Sequence, residues 1–365
     1  MAVTEVERDT ETGSPRQGES KVSVHNEWDP LEEVVVGVAD GARIPRPDRG
    51  LYAIDYADVY ARPGDIPSGP YDPQVIAEAN EDLDGLKKAL EREGVTVRRP
   101  RASDHGRTFG TPEWTSDGEY NYCPRDVLLF VGDLMIETPM TLRSRYFEPF
   151  AYRDLLVEYF RSGARWVSAP KPELRDDTYA IRPADGRYIG EAEPIFDAAN
   201  VLRLGEDLLY LVSRSGNYLG LEWLRRTLGP DYRVHAVEGI YDGTHIDSTI
   251  TPIRPGLVVL NPERVKQDAV PDIFKSWDII WAPDMVDTAR AGFYPRGSVW
   301  QGMNFFMVRP DLAVIDAQQS DLIRAVEKHG VDVLALNIRH ARTLSGGFHC
   351  VTLDVRRRGG LEDYR

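Results

Sequence analysis

The cysteine with the most informative surroundings is Cys350, in the segment SGGFHCVTLDVRRRG. Two glycines lie shortly before it, and glycine lets a backbone approach a ligand closely. The alternating residues that follow are typical of a strand, so the thiol is expected where a loop enters a strand. Such a thiol can act as a nucleophile, but a buried cysteine is also an ordinary small hydrophobic residue. The segment alone leaves both interpretations open.

A nucleophilic thiol needs an acid or base and a group that orients it. The segment GTHIDSTI supplies His245 and Asp247, whose side chains would share one face of an extended strand. Asp197 in FDAANVLR and Asp126 in CPRDVLLFVG stand beside apolar runs, where an unpaired carboxylate is costly to bury. Both acids could instead cap turns. Together, these groups could hold a planar guanidinium with the thiol facing its central carbon, because carboxylates accept paired N–H bonds.

Other common catalytic signatures do not occur in this sequence. It contains no G-x-G-x-x-G, G-x-x-x-x-G-K-[ST], G-x-S-x-G or H-E-x-x-H. None of the seven histidines is paired at a spacing suited to bind a metal from one helix face. We therefore expect a site that uses neither a metal nor an organic cofactor.

Composition restricts the partners and the compartment. The 365 residues include 44 Lys and Arg against 59 Asp and Glu, and the net charge of −15 would repel nucleic acid. No apolar run approaches the ~20 residues that cross a bilayer. The charge suits a small cationic substrate, although an acidic surface also serves solubility. Two cysteines, Cys123 and Cys350, are too few for a disulfide scaffold and favour a reducing compartment.

The beginning of the chain differs from the rest. Its first 22 residues carry neither the apolar core of a secretion signal nor the basic character of a mitochondrial presequence. We predict that residues 1–23 form a disordered acidic tail of a cytoplasmic protein and that residues 24–365 form a single catalytic domain.

One local pattern returns about five times after this tail. An apolar strand leads to an amphipathic helix and then to a second apolar strand, in segments 31–97, 127–167, 208–237, 257–282 and 312–336. No copy can bury its apolar faces alone, so the repeat predicts a circular stack with one shared core. Loops from every copy would meet at its axis. A doubly wound sheet of two lobes fits the same periodicity.

The sequence resembles the glycine amidinotransferase family of arginine amidinotransferases, in the pentein superfamily. The resemblance covers residues 24–365 and rests on long strings, among them DGEYNYCPRDVLLFVGD, RSRYFEPFAYRDLLVEYF, NYLGLEWLRRTLGPDYRVH and NIRHARTLSGGFHCVTLDVRRRG. It implies an α/β fold, namely a five-bladed α/β propeller of ββαβ repeats with pseudo-five-fold symmetry. It also implies a homodimer that acts on small molecules.

The resemblance implies roles for three residues in the chemistry. Cys350 matches the family's nucleophile, His245 its general acid and base, and Asp197 the carboxylate partner of that histidine. The implied reaction moves the amidino group of L-arginine to a primary amine through a covalent amidino-cysteine and releases L-ornithine. An arginine deiminase-type hydrolase, giving citrulline and ammonia, and a non-catalytic guanidinium-binding module are the alternatives.

The resemblance also implies roles in substrate binding. Asp126 and Asp247 match the two acids that grip the guanidinium, and Arg264 matches the arginine that receives the substrate carboxylate. Tyr120 and Ser298 match further positions of the pocket.

One position departs from the family pattern. Thr244 stands where the glycine-using members have methionine, on the acceptor side of the pocket. The resemblance therefore leaves the acceptor amine open, with glycine, an aminocyclitol phosphate and other precursor amines as candidates.

Overall fold

The structure is a computed structural model that describes residues 20–365. Its frame consists of five three-stranded sheets with one shared topology. In each sheet a middle strand pairs antiparallel with one neighbour and parallel with the other. With the antiparallel neighbour first and the middle strand second, the sheets are sheet 1 (Thr352–Arg357, Leu31–Val36, Thr96–Arg98), sheet 2 (Leu128–Val131, Leu134–Glu137, Arg165–Ser168), sheet 3 (Val201–Leu204, Asp207–Leu211, Arg233–Val237), sheet 4 (Ile250–Arg254, Leu257–Leu260, Asp278–Trp281) and sheet 5 (Phe306–Arg309, Leu312–Asp316, Asp332–Leu336).

Parallel neighbours need a crossover connection, and an α-helix supplies it in four of the sheets. In the order of sheets 1, 2, 3 and 5, these helices are Pro73–Arg92, Arg153–Arg161, Tyr218–Leu228 and Ser320–Glu327. The first helix begins at a proline after the capping residue Asp72 and buries Leu83, Leu86 and Leu90 on one face. Sheet 4 has only two 3₁₀ turns in this place, Gln267–Ala269 and Asp272–Phe274.

Short elements occupy the loops between the sheets. They are the helical turns Arg49–Leu51, Tyr52–Tyr56, Pro63–Asp65, Pro124–Val127, Arg143–Arg145, Glu148–Tyr152, Asp176–Thr178, Ala198–Asn200 and Val299–Met303, and the two-residue strand pairs Arg43–Ile44 with Gly69–Pro70 and Phe109–Gly110 with Thr115–Ser116. Within residues 20–365, no helix combines the length and the apolar character that crossing a bilayer requires.

The predicted α/β class is confirmed, and the predicted repeat follows the parallel strand pairs. The two-lobed, doubly wound alternative is wrong, because the strands of the repeat form five separate three-stranded sheets. The prediction began the second copy of the repeat on the wrong strand of sheet 2. Its predicted first strand, 127–131, is the antiparallel neighbour in sheet 2, and the parallel pair begins at Leu134–Glu137. Both strands are fully buried and joined by a tight turn at Gly132, so their hydrophobicity does not distinguish them.

The boundary of the predicted tail also shifts. Residues 1–19 lie outside the described residues. Residues 20–23, which were predicted to belong to the tail, pack on the domain, because Val22 is fully buried and Ser23 bridges to Arg356 in sheet 1. Lys21 forms an ion pair of 3.0 Å with Glu158. These four residues therefore pack against the rest of the described chain.

A buried cluster of charges connects three sheets. Arg203 of sheet 3 binds Asp354 of sheet 1 at 2.7 Å and Glu27 at 2.8 Å. Arg125, just before sheet 2, binds the same Asp354 at 3.0 Å and donates from Nε to the carbonyl of His349 at 2.8 Å. Breaking a buried pair typically costs about 3 to 5 kcal/mol, so the cluster fixes the loop that carries Cys350 against the start of sheet 2.

Candidate active site

Four sheets contribute a predicted catalytic or binding residue from the same place, just before the strand that lies antiparallel to the middle strand. Asp126 precedes Leu128 of sheet 2, and Asp197 precedes Val201 of sheet 3. Asp247 precedes Ile250 of sheet 4, and Cys350 precedes Thr352 of sheet 1. Sheets of equal topology thus direct these side chains to a common point, although the residues are far apart in sequence.

Most of the predicted residues line two adjoining cavities. The inner cavity is lined by Tyr120, Asp126, Asp197, His245 and Asp247, together with Thr244. The outer cavity is also lined by Thr244 and extends to Ser298. Cys350 and Arg264 line neither cavity, but each contacts a residue that does. A larger cleft lies elsewhere, beside sheets 3 and 4, and none of the predicted residues lines it.

The Cys350 thiol is buried next to Asp247, a residue that lines the inner cavity. Its sulfur lies 3.2 Å from Asp247 Oδ2 and 3.2 Å from Asn304 Nδ2. The thiol of Cys123 contacts it as well, so the two cysteines that are far apart in sequence are neighbours. The hydrogen bond with Cys123, burial and the charge of Asp247 raise the pKa of Cys350 well above its usual value. At rest the sulfur is therefore a neutral thiol.

His245 and Asp197 form a hydrogen-bonded pair. Nε2 of His245 lies 3.1 Å from Asp197 Oδ2, and Asp197 Oδ1 accepts a 2.8 Å bond from the backbone of Thr141. Burial disfavours a charged imidazole, but the carboxylates of Asp126, Asp197 and Asp247 raise the pKa of His245 to about 9. The histidine is therefore protonated at neutral pH.

The local backbone at His245 differs from the sequence prediction. His245 and Asp247 lie in a loop rather than on an extended strand, and His245 has a φ of 64°. This left-handed conformation is uncommon for a residue with a side chain and is found most often at functional sites. The loop still directs both side chains into the inner cavity.

The two acids predicted to grip a guanidinium have different surroundings. Asp126 binds Arg145 through Oδ2 at 2.6 Å, whereas its buried Oδ1 has no hydrogen-bond partner among residues 20–365. Burial raises the pKa of Asp126. Asp247 accepts a hydrogen bond of 2.9 Å from Nδ1 of His349, and despite burial this bond holds the pKa of Asp247 below its usual value. Oδ1 of Asp126 lies 3.6 Å from Nδ1 of His245, so it faces the imidazole without a hydrogen bond and can still accept one from a cation.

The structure places Arg264 at the side of the outer cavity. Its guanidinium stacks on Tyr241 at 3.7 Å and donates to the hydroxyls of Ser248 at 2.8 Å and Ser298 at 3.1 Å. Both serines line the outer cavity, so Arg264 is held at its edge by groups that face it. Tyr120 is buried in the inner cavity, and the Arg145 guanidinium lies 5.0 Å from its ring.

Three residues that contact the site were missed by sequence reasoning. Arg145 neutralises Asp126 and Glu148, His349 binds Asp247, and Asn304 binds the sulfur of Cys350. His349 directly precedes the cysteine, and Asn304 precedes an apolar strand as Asp126 does. Only these sequence positions could have pointed to His349 and Asn304, because neither residue belongs to a recognised catalytic motif.

No family model matches the chain, but individual relatives do. Inosamine-phosphate amidinotransferase 1 of Streptomyces glaucescens is 56% identical over 346 residues, covering 95% of this chain and 99% of that protein. The L-arginine:L-lysine amidinotransferase of Pseudomonas savastanoi pv. phaseolicola is 40% identical over 353 residues, covering 94% and 97%. The solved structure of inosamine-phosphate amidinotransferase StrB1 from Streptomyces griseus matches with a TM-score of 0.93 at 56% identity, covering 95% and 99%. The chain therefore belongs to the amidinotransferase family.

Proposed function

We propose that this protein transfers the amidino group of L-arginine to a primary amine through a covalent amidino-Cys350 and releases L-ornithine. The observation that carries the proposal is that a protonated imidazole and the carboxylates of Asp126, Asp197 and Asp247 line one cavity, and that the Cys350 thiol contacts Asp247. The identity to relatives named as amidinotransferases favours the transfer over hydrolysis to citrulline. It also disfavours a module that only binds guanidinium.

Donor binding places the guanidinium between Asp126 and Asp247. Oδ1 of Asp126, which accepts no hydrogen bond from the described residues, accepts an N–H of the guanidinium, and Asp247 lies beside the sulfur of Cys350. Arg264 receives the carboxylate of the substrate. The positive charge of the guanidinium offsets the two carboxylates, which lowers the free energy of forming the Cys350 thiolate beside them.

The first half of the reaction forms the amidino-cysteine. With arginine bound, the Cys350 thiol releases its proton to solvent. The resulting thiolate attacks the guanidinium carbon to form a C–S bond, and the bond from that carbon to the side-chain nitrogen breaks. His245 gives its proton to the departing nitrogen, so ornithine leaves as a neutral amine at that atom. Asp197 stabilises the imidazolium before this transfer.

The second half reverses these roles. The acceptor amine enters the space that ornithine has vacated and attacks the amidino carbon. His245, now neutral, removes a proton from the amine, and the electron pair of the C–S bond returns to the sulfur of Cys350. The proton balance of His245 is restored, and the reaction requires no metal or organic cofactor.

The alkaline limit of the first half should follow the protonation of His245. Because its pKa is raised to about 9, the charged form persists at neutral pH and is lost as the pH rises through about 9. We expect ornithine release in a single turnover to fall about tenfold for each pH unit above that value. Asp197→Asn removes one carboxylate that raises the pKa, so its limit should lie at lower pH. Rapid-quench measurements on the unmodified protein and on Asp197→Asn test this. If ornithine release falls at the same pH in both, Asp197 does not raise the pKa of His245.

For the acceptor we propose an aminocyclitol phosphate. A relative named as an inosamine-phosphate amidinotransferase is 56% identical, and the outer cavity adjoins the inner one at Thr244. Charged side chains line this cavity and offer partners to hydroxyls and a phosphate. They include Asp55, Asp58, Arg214, Asp242 and Arg296.

Thr244 should influence the choice of acceptor because it lines both cavities. Thr244→Met fills space beside the attacking amine and removes a hydroxyl. We expect kcat/KM to shift toward glycine and away from the aminocyclitol phosphate by about 1 to 3 kcal/mol of discrimination, with arginine binding little changed. Competition assays with both acceptors measure the ratio. An unchanged ratio would assign acceptor choice to the surrounding loops.

The proposed function is tested by incubating the protein with isotopically labelled arginine and a panel of amines. The panel contains glycine, lysine and an aminocyclitol with and without phosphate. Mass spectrometry should find the label in one guanidino product and an equal amount of ornithine. Labelled citrulline and ammonia would instead support the hydrolase.

Further proposals concern the arrangement of the five sheets, the extent of the catalytic domain, the oligomeric state and the cellular compartment. We propose that the five sheets are blades of an α/β propeller with the active site at its axis, because the first and last strands of the chain share sheet 1. Residues 24–365 would then form one catalytic domain. We further propose a homodimer that works in the cytoplasm; light scattering tests the dimer.

A further inference from the structure

Sheet 5 is the one sheet to which sequence analysis assigned no functional residue before its first strand. Asn304 occupies that place, two positions before Phe306, as Asp126 stands two positions before Leu128 and Cys350 two before Thr352. Its side chain is buried, with 2% of the residue exposed. The repeated architecture therefore directs this amide to the same point as the other four residues.

The carboxamide of Asn304 is held in one orientation. Its Oδ1 accepts hydrogen bonds from the backbone nitrogens of both His349 and Cys350, each at 3.1 Å. Since only the oxygen of a carboxamide can accept these bonds, the amide cannot be flipped, and Nδ2 must face the sulfur of Cys350 at 3.2 Å. A Cβ at Gly347 would lie 2.7 Å from the side chain of Asn304, so this glycine makes room for the amide.

The sulfur otherwise faces groups that disfavour a negative charge. Asp247 Oδ2 lies 3.2 Å away and accepts a hydrogen bond from the thiol, and burial removes water. The Asn304 amide is a neutral donor aimed at the sulfur, so its hydrogen bond strengthens when the sulfur becomes an anion. Such a fixed donor requires no reorganisation during the reaction.

We propose that Asn304 is a catalytic residue that stabilises the Cys350 thiolate by donating Nδ2–H to its sulfur. The donor acts when the thiolate forms before attack. It acts again when the C–S bond of the amidino-cysteine breaks and the electron pair returns to sulfur. The second role rests on the proposed function, whereas the first concerns the free enzyme.

The test replaces Asn304 by aspartate and measures how fast the Cys350 thiol is alkylated. Asn304→Asp keeps size and Oδ1 but exchanges the N–H donor for a carboxylate oxygen. The rate of Cys350 alkylation by iodoacetamide, followed by peptide mass over a range of pH without substrate, reports the thiolate. We expect the alkylation profile to move at least about one pH unit upward, which slows alkylation about tenfold at a fixed lower pH. We expect kcat with arginine to fall about 100-fold or more.

A matched control is Asn80→Asp, because Asn80 Oδ1 also accepts a backbone N–H, from Ala39 at 2.9 Å, away from the cavities. Its alkylation profile and its kcat should equal those of the unmodified protein.

Thermal unfolding is measured for each variant. If Asn304→Asp does not fold, Asn304→Ser is used in its place with the same expected result, because serine is too short to reach the sulfur. A folded variant with an unchanged alkylation profile would overturn the inference. Failure of the unmodified protein to turn over arginine would overturn the proposed function but leave the alkylation test of Asn304 intact.

Discussion

Cys350→Ala is expected to eliminate turnover, with a fall in kcat of about 10⁵-fold or more, because it removes the sulfur that forms the covalent bond. Incubated with arginine alone, the unmodified protein should gain the mass of one amidino group at Cys350, and the variant should gain none. Intact-mass and peptide measurements detect the adduct. The alanine fills less space than the thiol, so the variant should remain folded and still bind arginine.

Cys123→Ala is the matched control for this experiment. Its thiol touches Cys350 and is buried, but it has no assigned role in the reaction. Removing it takes away an interaction that raises the pKa of Cys350, so the variant should retain most activity and form the adduct. A Cys350→Ala protein that still turned over arginine would show that the covalent mechanism is wrong.

The second large effect concerns capture of the donor. Asp126→Asn and Asp247→Asn should each weaken arginine binding by about 2 to 5 kcal/mol, because each removes one buried charge facing the guanidinium. Calorimetry in a Cys350→Ala background measures binding without turnover. The exposed Asp133, which pairs with Arg165 at 2.7 Å, supplies the control Asp133→Asn.

The two acids differ in what else they hold. Asp247 binds His349, so Asp247→Asn also needs a measurement of thermal unfolding to separate lost binding from a disturbed loop. Asp126 pairs with Arg145, which retains Glu148 as its partner, so Asp126→Asn should be the milder change for the fold. Arginine binding of unchanged strength in both variants would exclude the proposed acidic clamp.

The sequence allowed the strands and the charged candidates to be predicted because both have strong local signals. An acid or a thiol next to a buried apolar strand, as at Asp126 or Cys350, is unusual enough to be noticed. The structure brings both into one site, together with His245, Asp197 and Asp247. The repeat in hydrophobicity likewise located the parallel strand pairs, except in sheet 2, where two buried strands of one hairpin are equally apolar.

The contacts of Asn304 and Arg145 depend on long-range packing, so the sequence around each residue did not predict them. Asn304 is a neutral residue before the apolar run FFMV, and its importance follows from its distance to a sulfur 46 residues later. Arg145 belongs to the polar segment RSRYFEP, which would ordinarily lie at the surface, yet its side chain is buried because Asp126 and Glu148 neutralise it. In both cases the partner is supplied by another part of the chain.

The pairing of Leu31–Val36 with Thr352–Arg357 in sheet 1 has a consequence for folding during synthesis. Leu31–Val36 is made first, whereas Thr352–Arg357, with Cys350 just before it, is made after the strands of the other four sheets. Until that strand pairs, Asp126, His245 and Asp247 lack the thiol that we propose as the nucleophile. Under the proposed mechanism, a nascent chain that has not yet reached Cys350 therefore cannot consume arginine.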